Sequence, residues 1–290
     1  MSFSYRKFLA SWGAMSLFVL LWGSAAIFTR WALDHGSPSA VLLARYGIAC
    51  LALLAALPWR RGPWLPQPGT RGTVALAGLL MVACYSVCYF QAMAHGITPG
   101  LIATLLGVQP ILTLLLVERR FGAARLGGLL LALTGLGLVV RQSLLATGFD
   151  ATGLAFALGA LACMTAGAIV QKRVRQAPLQ VLPLQYAVTL AVCLAFAQVQ
   201  PLRWDGSMGF WLPVLFLGLV ISVVAQWLLY RLIQGGSLVN VTSLFYLVPA
   251  VTALLDYAVL GNALGLLAIV GMACILAGVV LVHRQPAGAG

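Results

Sequence analysis

The side chains able to do chemistry in this sequence are polar and aromatic groups set inside long apolar stretches. Arg45 is the one basic residue placed well inside such a stretch, and no acidic residue lies at the predicted middle of any of them. Tyr85 and Tyr89, four residues apart, share one face of a helix. Arginine pairs with carboxylates through a planar fork of donors, and aromatic rings form walls for apolar groups. These residues predict non-covalent binding of a small molecule.

More than one role is open for several polar residues. Arg45 either attracts a substrate carboxylate or ties its helix to backbone carbonyls of a neighbouring helix. Gln109 and Tyr89 either line a cavity or bond between helices. Tyr230 and Trp211 lie near the ends of apolar stretches, where anchoring at the membrane interface explains them. Sequence spacing leaves the alternatives for Arg45, Gln109 and Tyr89 open.

The elements that carry these residues are apolar stretches about as long as a bilayer is thick. The chain is 62% hydrophobic and 8% charged, with a mean hydropathy of +1.02, whereas soluble domains carry about 25% charged residues. A water-soluble fold is therefore excluded. Ten stretches of suitable length cover residues 8–29, 38–57, 73–94, 98–117, 126–140, 151–171, 179–200, 209–230, 237–255 and 257–282. The fold class predicted is an all-α polytopic membrane protein.

The distribution of basic residues indicates which ends of these stretches face the cytoplasm. With the N-terminus in the cytoplasm, thirteen Lys and Arg residues fall on the cytoplasmic side and three on the other, as the positive-inside rule requires. We therefore expect both termini in the cytoplasm, at a bacterial inner membrane. Only fifteen residues separate Arg125 from Arg141 around the fifth stretch, so either that helix is short or both arginines reach back toward the interfaces with their long side chains. The net charge of +12 does not indicate nucleic-acid binding, because the charges are not gathered in one patch.

The ten stretches divide into two sets of five, at residues 1–145 and 146–290. Because five is odd, the second set must cross the membrane in the opposite sense, which gives the inverted repeats typical of secondary transporters. A proline follows a glycine by fourteen residues in each half, from Gly96 to Pro110 and from Gly235 to Pro249. A proline inside a membrane helix breaks a backbone hydrogen bond. Pro110 and Pro249 are thus predicted hinges, with a passive kink as the alternative.

No catalytic or metal-binding pattern stands out. The six cysteines all lie inside apolar stretches, and none has a His or carboxylate at ligand spacing. The main alternative class is an enzyme acting on lipid-linked substrates, which needs convergent carboxylates or histidines at an interface. Only Asp34 with His35, and the isolated Asp150 and Asp205, are available. We therefore expect no enzyme, no metal and no cofactor.

Short motifs in both halves resemble one family of membrane proteins. The motifs are Leu21-Trp22-Gly23-Ser24, Ser37-Pro38, Arg45-Tyr46, Gln109-Pro110 and Glu118-Arg119 in the first half, and Pro249, Gly261 and Ala277-Gly278-Val279-Val280 in the second. They resemble the drug/metabolite transporter superfamily in its EamA-type ten-helix branch, within which bacterial aromatic amino-acid exporters are most similar. The resemblance implies two inverted five-helix halves, a central cavity and alternating access without ATP.

The residues and the resemblance together predict a secondary transporter that exports aromatic or apolar amino acids, or related neutral or zwitterionic metabolites. The alternatives are efflux of other small drugs or metabolites, an enzyme acting on lipid-linked substrates, and a structural protein without a central cavity. The expected partners are the lipid bilayer, a small-molecule substrate and, as candidate coupling ion, protons. The predicted substrate-binding residues are Trp22, Arg45, Tyr46, Tyr85, Tyr89, Gln109, Thr165, Gln185, Gln226, Trp227 and Tyr246.

Overall fold

The protein folds into helices. This computed structural model describes residues 2–59, 63–97, 102, 105–117, 122–139, 151–248, 250–251 and 266–284. We label the helices in chain order as α1 (Ser2–His35), α2 (Pro38–Ala55), α3 (Arg71–Ala94), α4 (Gln109–Val117), α5 (Ala123–Val139), α6 (Ala151–Arg173), α7 (Pro178–Val199), α8 (Met208–Gly235), α9 (Leu238–Ser243) and α10 (Leu266–Arg284). Short 3-10 turns at Leu57–Trp59 and Leu244–Tyr246 follow α2 and α9.

The prediction of an all-helical membrane protein is confirmed. Within the described ranges, α1, α2, α3, α6, α7 and α8 are long and apolar enough to cross a membrane, and α5 and α10 are shorter apolar helices. Serine and proline fix some of the helix starts. Before α2, for example, the Ser37 hydroxyl accepts from the backbone N–H of Ala40, and Pro38 occupies the first turn. The count of ten spans stays a prediction, because α4, α5, α9 and α10 adjoin residues outside the described part.

The two halves pack on each other through pairs of helices. α2 lies against α7, α4 against α9 and α5 against α10, while α1 lies against α8 and α3 against α6. The first to fifth helices of one half correspond to the first to fifth of the other. Exchanging corresponding helices turns the α1–α8 pair into the α3–α6 pair and leaves the other three pairs unchanged. This exchange is the packing expected of a protein built from two repeats.

Glycines let the paired helices come very close. A Cβ atom at Gly135 of α5 would lie 2.5 Å from the carbonyl oxygen of Gly271, and one at Gly278 of α10 would lie 2.5 Å from that of Gly128. A similar contact joins α6 to α3, where a Cβ at Gly167 would lie 2.6 Å from a backbone nitrogen. No side chain fits at such distances, so these small residues set the spacing between the halves.

A brace of polar contacts joins the α1–α2 connection to the α7–α8 connection. Nδ1 of His35 lies 2.6 Å from Oδ2 of Asp205, and the backbone N–H of Ser37 donates to the carbonyl of Arg203 at 2.8 Å. The sequence predicts an isolated Asp205, and that prediction is wrong. Folding brings Asp205 to a partner, His35, that lies 170 residues away in the chain. Asp34 pairs instead with Arg30, one helical turn before it. The brace ties the first half to the second.

The brace makes stability depend on pH. The hydrogen bonds from His35 and then from Ser207 lower the pKa of Asp205 to about 2, against roughly 3.9 for an unfolded aspartate. Because the folded state favours the ionised carboxylate, its stabilising contribution is complete above about pH 4 and is lost as the pH falls toward about 2.

We expect Asp205→Asn to unfold at a lower temperature than the unchanged protein at about pH 6, and this difference to shrink as the pH falls below about 4. The physical reason is that acid neutralises the wild-type carboxylate and leaves the asparagine unaffected. Scanning fluorimetry in detergent measures both proteins across the pH range. A difference of the same size at about pH 6 and about pH 3 would contradict the assignment.

Two residues expected at the membrane interface are buried instead. Arg125 of α5 is 1% exposed, and its Nη2 atom donates to the side chains of Ser237 and Asn240 at 2.9 and 2.8 Å. A guanidinium bonded within the bundle does not need to reach back to water. Tyr230 is 0% exposed, because α8 continues to Gly235 and packs beyond it. The prediction that Tyr230 anchors the protein at the interface is wrong.

The helices α3 and α8, which hold the same place in their halves, each contain a π-helical segment. The segment spans Leu79–Cys84 in α3 and Phe216–Ala225 in α8, and in both it follows an eight-residue α-helical piece. A π turn re-aims the side chains beyond it and is frequent at functional sites. The next residues are Tyr85 and Gln226, both predicted to bind substrate.

Candidate functional site

Arg45 of α2 lies half-buried against the second half of the chain. Its Nε atom donates to the Ser222 hydroxyl of α8 at 2.9 Å, and its guanidinium carbon lies 5.0 Å from the centroid of the Tyr46 ring. Its two Nη atoms donate no hydrogen bond to any described residue, and no described carboxylate pairs with it. Arg45 thus ties α2 to α8 through a serine hydroxyl rather than through backbone carbonyls. One edge of the guanidinium remains for another group.

A buried layer of hydroxyl groups supports Arg45. The Tyr46 hydroxyl lies 2.6 Å from the Ser86 hydroxyl of α3, and the Tyr186 hydroxyl of α7 donates to the backbone carbonyl of Ser222. The two tyrosine rings lie 5.6 Å apart between centroids. All four side chains are buried, and buried polar groups bonded to each other rigidify their surroundings. Tyr46 therefore helps to hold the backbone next to Arg45 in place.

Tyr85 and Tyr89 lie side by side on α3, near Arg45. Their ring centroids are 5.7 Å apart, and both side chains are half-buried. Neither hydroxyl bonds to a described residue, and the Tyr89 ring also contacts the Phe90 ring. Ser86, the residue after Tyr85, bonds to Tyr46, the residue after Arg45. The site thus combines one cation with two hydroxyls that have no hydrogen bond among the described residues.

An aromatic group forms an apolar side of the same packed cluster. Trp22 of α1 lies 5.2 Å from Phe18 and 5.6 Å from Phe245, between ring centroids. Phe18 and Phe245 contact each other edge-on at 5.5 Å. Trp22 is half-buried and packs against the same apolar core as Tyr85 and Tyr89. An arrangement of one charge, two hydroxyls and an indole can bind a small amphipathic molecule.

One family profile matches this chain twice, once in each half. It is the profile of the EamA-like transporter family, and it covers residues 11–141 and 151–284. The chain belongs to the EamA-like transporter family. The double match shows the two-repeat architecture and confirms the resemblance to the drug/metabolite transporter superfamily. EamA-like proteins are multi-pass membrane transporters of small metabolites, not enzymes.

Solved structures share the fold of this EamA-like chain, and one crystal structure serves as an example. The two align with a TM-score of 0.77 and 22% identity, over 94% of this chain and 96% of the other. At that identity the likeness shows the fold alone. No curated protein sequence matches the chain.

Two predicted binding residues of this EamA-like chain bond within the bundle. The Gln185 amide of α7 donates to the backbone carbonyl of Val74 at 3.3 Å and to the Gln171 side chain at 2.9 Å. The Thr165 hydroxyl donates to the carbonyl of Leu161 in its own helix at 2.7 Å. Both are buried. The Gln185 amide nitrogen joins α7 to α3 and α6, while its Oε1 atom has no hydrogen bond to a described residue. The Thr165 bond lies within α6.

Four further predicted residues lie elsewhere or face other partners. Tyr246 belongs to a separate apolar core between α4, α5, α9 and α10, and Gln109 is buried on α4, its Nε2 atom bonded to no described residue. Trp227 of α8 carries the guanidinium of Arg231 over its ring at 5.0 Å. Gln226 is buried next to the π segment. Among the described residues, Trp22, Tyr85, Tyr89 and Trp227 pack against the apolar core that contains Tyr46, the neighbour of Arg45, whereas Tyr246 packs in the other core.

Of the two predicted hinges, Pro110 lies within the described residues and Pro249 does not. Around Pro110 the backbone makes a turn at Gly107 and Val108, and α4 then begins at Gln109. Proline is tolerated at this position, because the N–H groups of the first helical turn have no intrahelical partner. Pro249 lies outside the described residues.

The His35 brace does not form a nucleophile triad. Nδ1 of His35 faces both the Asp205 carboxylate at 2.6 Å and the Ser207 hydroxyl at 3.4 Å. A triad needs the acid on one ring nitrogen and the nucleophile on the other. Nε2 of His35 instead packs over Gly209, where a Cβ atom would lie 2.4 Å away. In the described ranges, no group of three or more His, Cys, Asp or Glu side chains is arranged to hold a metal ion.

Sequence reasoning missed Ser222, Ser86 and Tyr186 as supports of the site. Ser222 is the single hydroxyl residue in the apolar run Phe216–Ala225, and that contrast was the available signal. Its contact with Arg45 spans 177 residues, so spacing gave no means of pairing the two.

Proposed function

We propose that this EamA-like protein is a secondary transporter that exports amino acids with an aromatic or apolar side chain. The observation that carries the proposal is the half-buried Arg45, which has no described carboxylate partner and two Nη atoms not bonded to any described residue. A charged side chain in a membrane costs about 2.5 to 3.5 kcal/mol on insertion scales. A substrate carboxylate would offset that cost through two parallel N–H···O bonds.

Groups near Arg45 could bind the ammonium group and the side chain of an amino acid. The hydroxyls of Tyr85 and Tyr89 offer acceptors for the ammonium group, and their rings add cation–π attraction. Trp22 and Phe245 offer an aromatic wall for the side chain. A single cation suits a single carboxylate, whereas a phosphorylated solute would call for more basic groups.

Movement of the two halves would open this site alternately to each side. We propose that the halves are inverted, that Pro110 and Pro249 serve as hinges, and that both termini lie in the cytoplasm of a bacterium with this protein in its inner membrane. Sites between repeats are the usual place for the substrate of a secondary transporter. Protons are the candidate coupling ion.

The test is transport by purified protein in liposomes. Radiolabelled phenylalanine, tryptophan, leucine, lysine and glutamate are offered with and without a pH gradient, beside protein-free liposomes. We expect the first three to move and the two charged ones to move poorly, and a proton-coupled cycle to respond to the gradient. If monodisperse protein moves none of the first three, the proposal is wrong.

Removing the hydroxyls of Tyr85 and Tyr89 is expected to weaken substrate binding and spare the fold. Each hydroxyl contributes about 0.5 to 1.5 kcal/mol if it bonds the substrate, so the double Phe variant should raise KM roughly tenfold. The comparison is Tyr230→Phe, which removes a fully buried tyrosine hydroxyl from α8 instead of the half-buried hydroxyls of α3. Initial transport rates over a series of substrate concentrations give KM and the maximum rate. An unchanged KM in the double variant would show that these hydroxyls do not touch the substrate.

A further inference from the structure

We propose that Ser222 positions Arg45, so that the guanidinium presents its Nη edge to the carboxylate of the substrate. The inference rests on the function proposed above and adds a residue that does not itself touch the substrate. Ser222 comes from the second half of the chain and Arg45 from the first. The carboxylate-binding edge would therefore exist only when the two halves are correctly apposed.

The Ser222 hydroxyl is fixed by two hydrogen bonds. It donates to the carbonyl of Leu217 at 2.9 Å and accepts from Nε of Arg45 at 2.9 Å. A hydroxyl has one proton, so donation to Leu217 leaves only lone pairs to face Arg45. Ser222 is 1% exposed, and water cannot easily replace it as the acceptor.

The π segment of α8 is what gives Ser222 this orientation. Leu217 stands five residues before Ser222, the spacing of a π turn. The backbone carbonyl of Ser222 is held as well, because it accepts from the Tyr186 hydroxyl. The acceptor for Arg45 is therefore anchored through both its side chain and its backbone.

Fixing Nε decides which edge of the guanidinium is offered. Arg45 has five N–H donors in a planar fork, and the bond to Ser222 uses the one on Nε. The guanidinium carbon also lies 5.0 Å from the centroid of the Tyr46 ring. The remaining Nη edge presents donors in the parallel geometry that suits a carboxylate. An ester or amide carries no negative charge and gains much less from that edge.

The experiment compares Ser222→Ala, Ser222→Thr and Thr189→Ala in liposomes. The probes are L-phenylalanine and L-phenylalanine methyl ester, with the ester also tested as a competitor. Thr189→Ala is the matched control, because the Thr189 hydroxyl is equally buried and, among the described residues, bonds only to a carbonyl of its own helix. We expect Ser222→Ala to raise KM for phenylalanine roughly tenfold or more with little change in the maximum rate.

The ester distinguishes positioning from a purely structural role. Its KM or inhibition constant should change less than about twofold in Ser222→Ala, and Ser222→Thr, which keeps a hydroxyl, should recover most of the affinity for phenylalanine. Equal losses for acid and ester, together with a lower unfolding temperature, would overturn the proposal. If Ser222→Ala has wild-type kinetics while Arg45→Gln loses phenylalanine transport, the positioning role of Ser222 is wrong and the proposed function still holds. If Arg45→Gln also behaves as wild type, the positioning role and the proposed function are both wrong.

Discussion

Arg45→Gln is expected to lower transport of phenylalanine and tryptophan by roughly 10- to 100-fold in KM, with the protein still folded. Glutamine keeps donors but removes the charge that would attract the carboxylate. Glutamine also lacks the Nε–H group that donates to Ser222. Initial rates in liposomes over a wide substrate range measure the effect, and size-exclusion chromatography confirms that the protein is intact.

Two further variants sharpen this prediction. Arg45→Lys keeps the charge but loses the planar fork, so we expect a value between those of the wild type and the glutamine variant. Arg231→Gln is the control, because it makes the same change of charge on exposed α8 surface. Transport in Arg45→Gln that equals transport in Arg231→Gln would contradict a binding role for Arg45.

Gly135→Leu is expected to cause a large loss of stability at the α5–α10 contact. The first added atom would lie 2.5 Å from the carbonyl oxygen of Gly271 and 2.8 Å from the Cβ of Cys274. Backbone atoms cannot yield, so the helices must separate. Overpacking costs about 1 to 3 kcal/mol or more. We expect the unfolding temperature to fall by at least about 5 °C.

Gly137→Leu is the matched control for this contact. Gly137 lies two residues further along the same helix, and a Cβ atom there would meet nothing within 4 Å. Both substitutions remove the same glycine flexibility and add the same apolar side chain, so their difference isolates the helix contact. Scanning fluorimetry in detergent compares the two. Equal unfolding temperatures would show that α5 and α10 are not held together at Gly135.

Much of the helical layout was predictable because the bilayer sets the length of each apolar run. The predicted stretch 38–57 corresponds to Pro38–Ala55 in the structure, and 179–200 to Pro178–Val199. The first helix runs further than expected, from Ser2 to His35. Helix type and approximate bounds are local properties, so composition and hydropathy suffice for them.

The side-chain environment was less predictable. Arg125 was expected near an interface and lies buried, bonded to Ser237 and Asn240. The sequence places no partner beside Asp205, whereas in the structure Asp205 pairs with His35. In each case the partner lies more than a hundred residues away in the chain. Burial and pairing of that kind depend on which helices pack together, and hydropathy does not encode it.

The sequence by itself determined that this protein is a helical membrane protein with two repeats, that Tyr85 and Tyr89 share a face, and that Arg45 lies deep in a helix. Those properties follow from apolar length and helical periodicity. Only the tertiary structure decided which polar groups are already bonded. Gln185 and Thr165 have partners within the bundle, whereas the Nη edge of Arg45 has none among the described residues. The reason is that a hydrogen bond needs a partner at about 3 Å, and packing between the two halves alone brings Ser222 to Arg45.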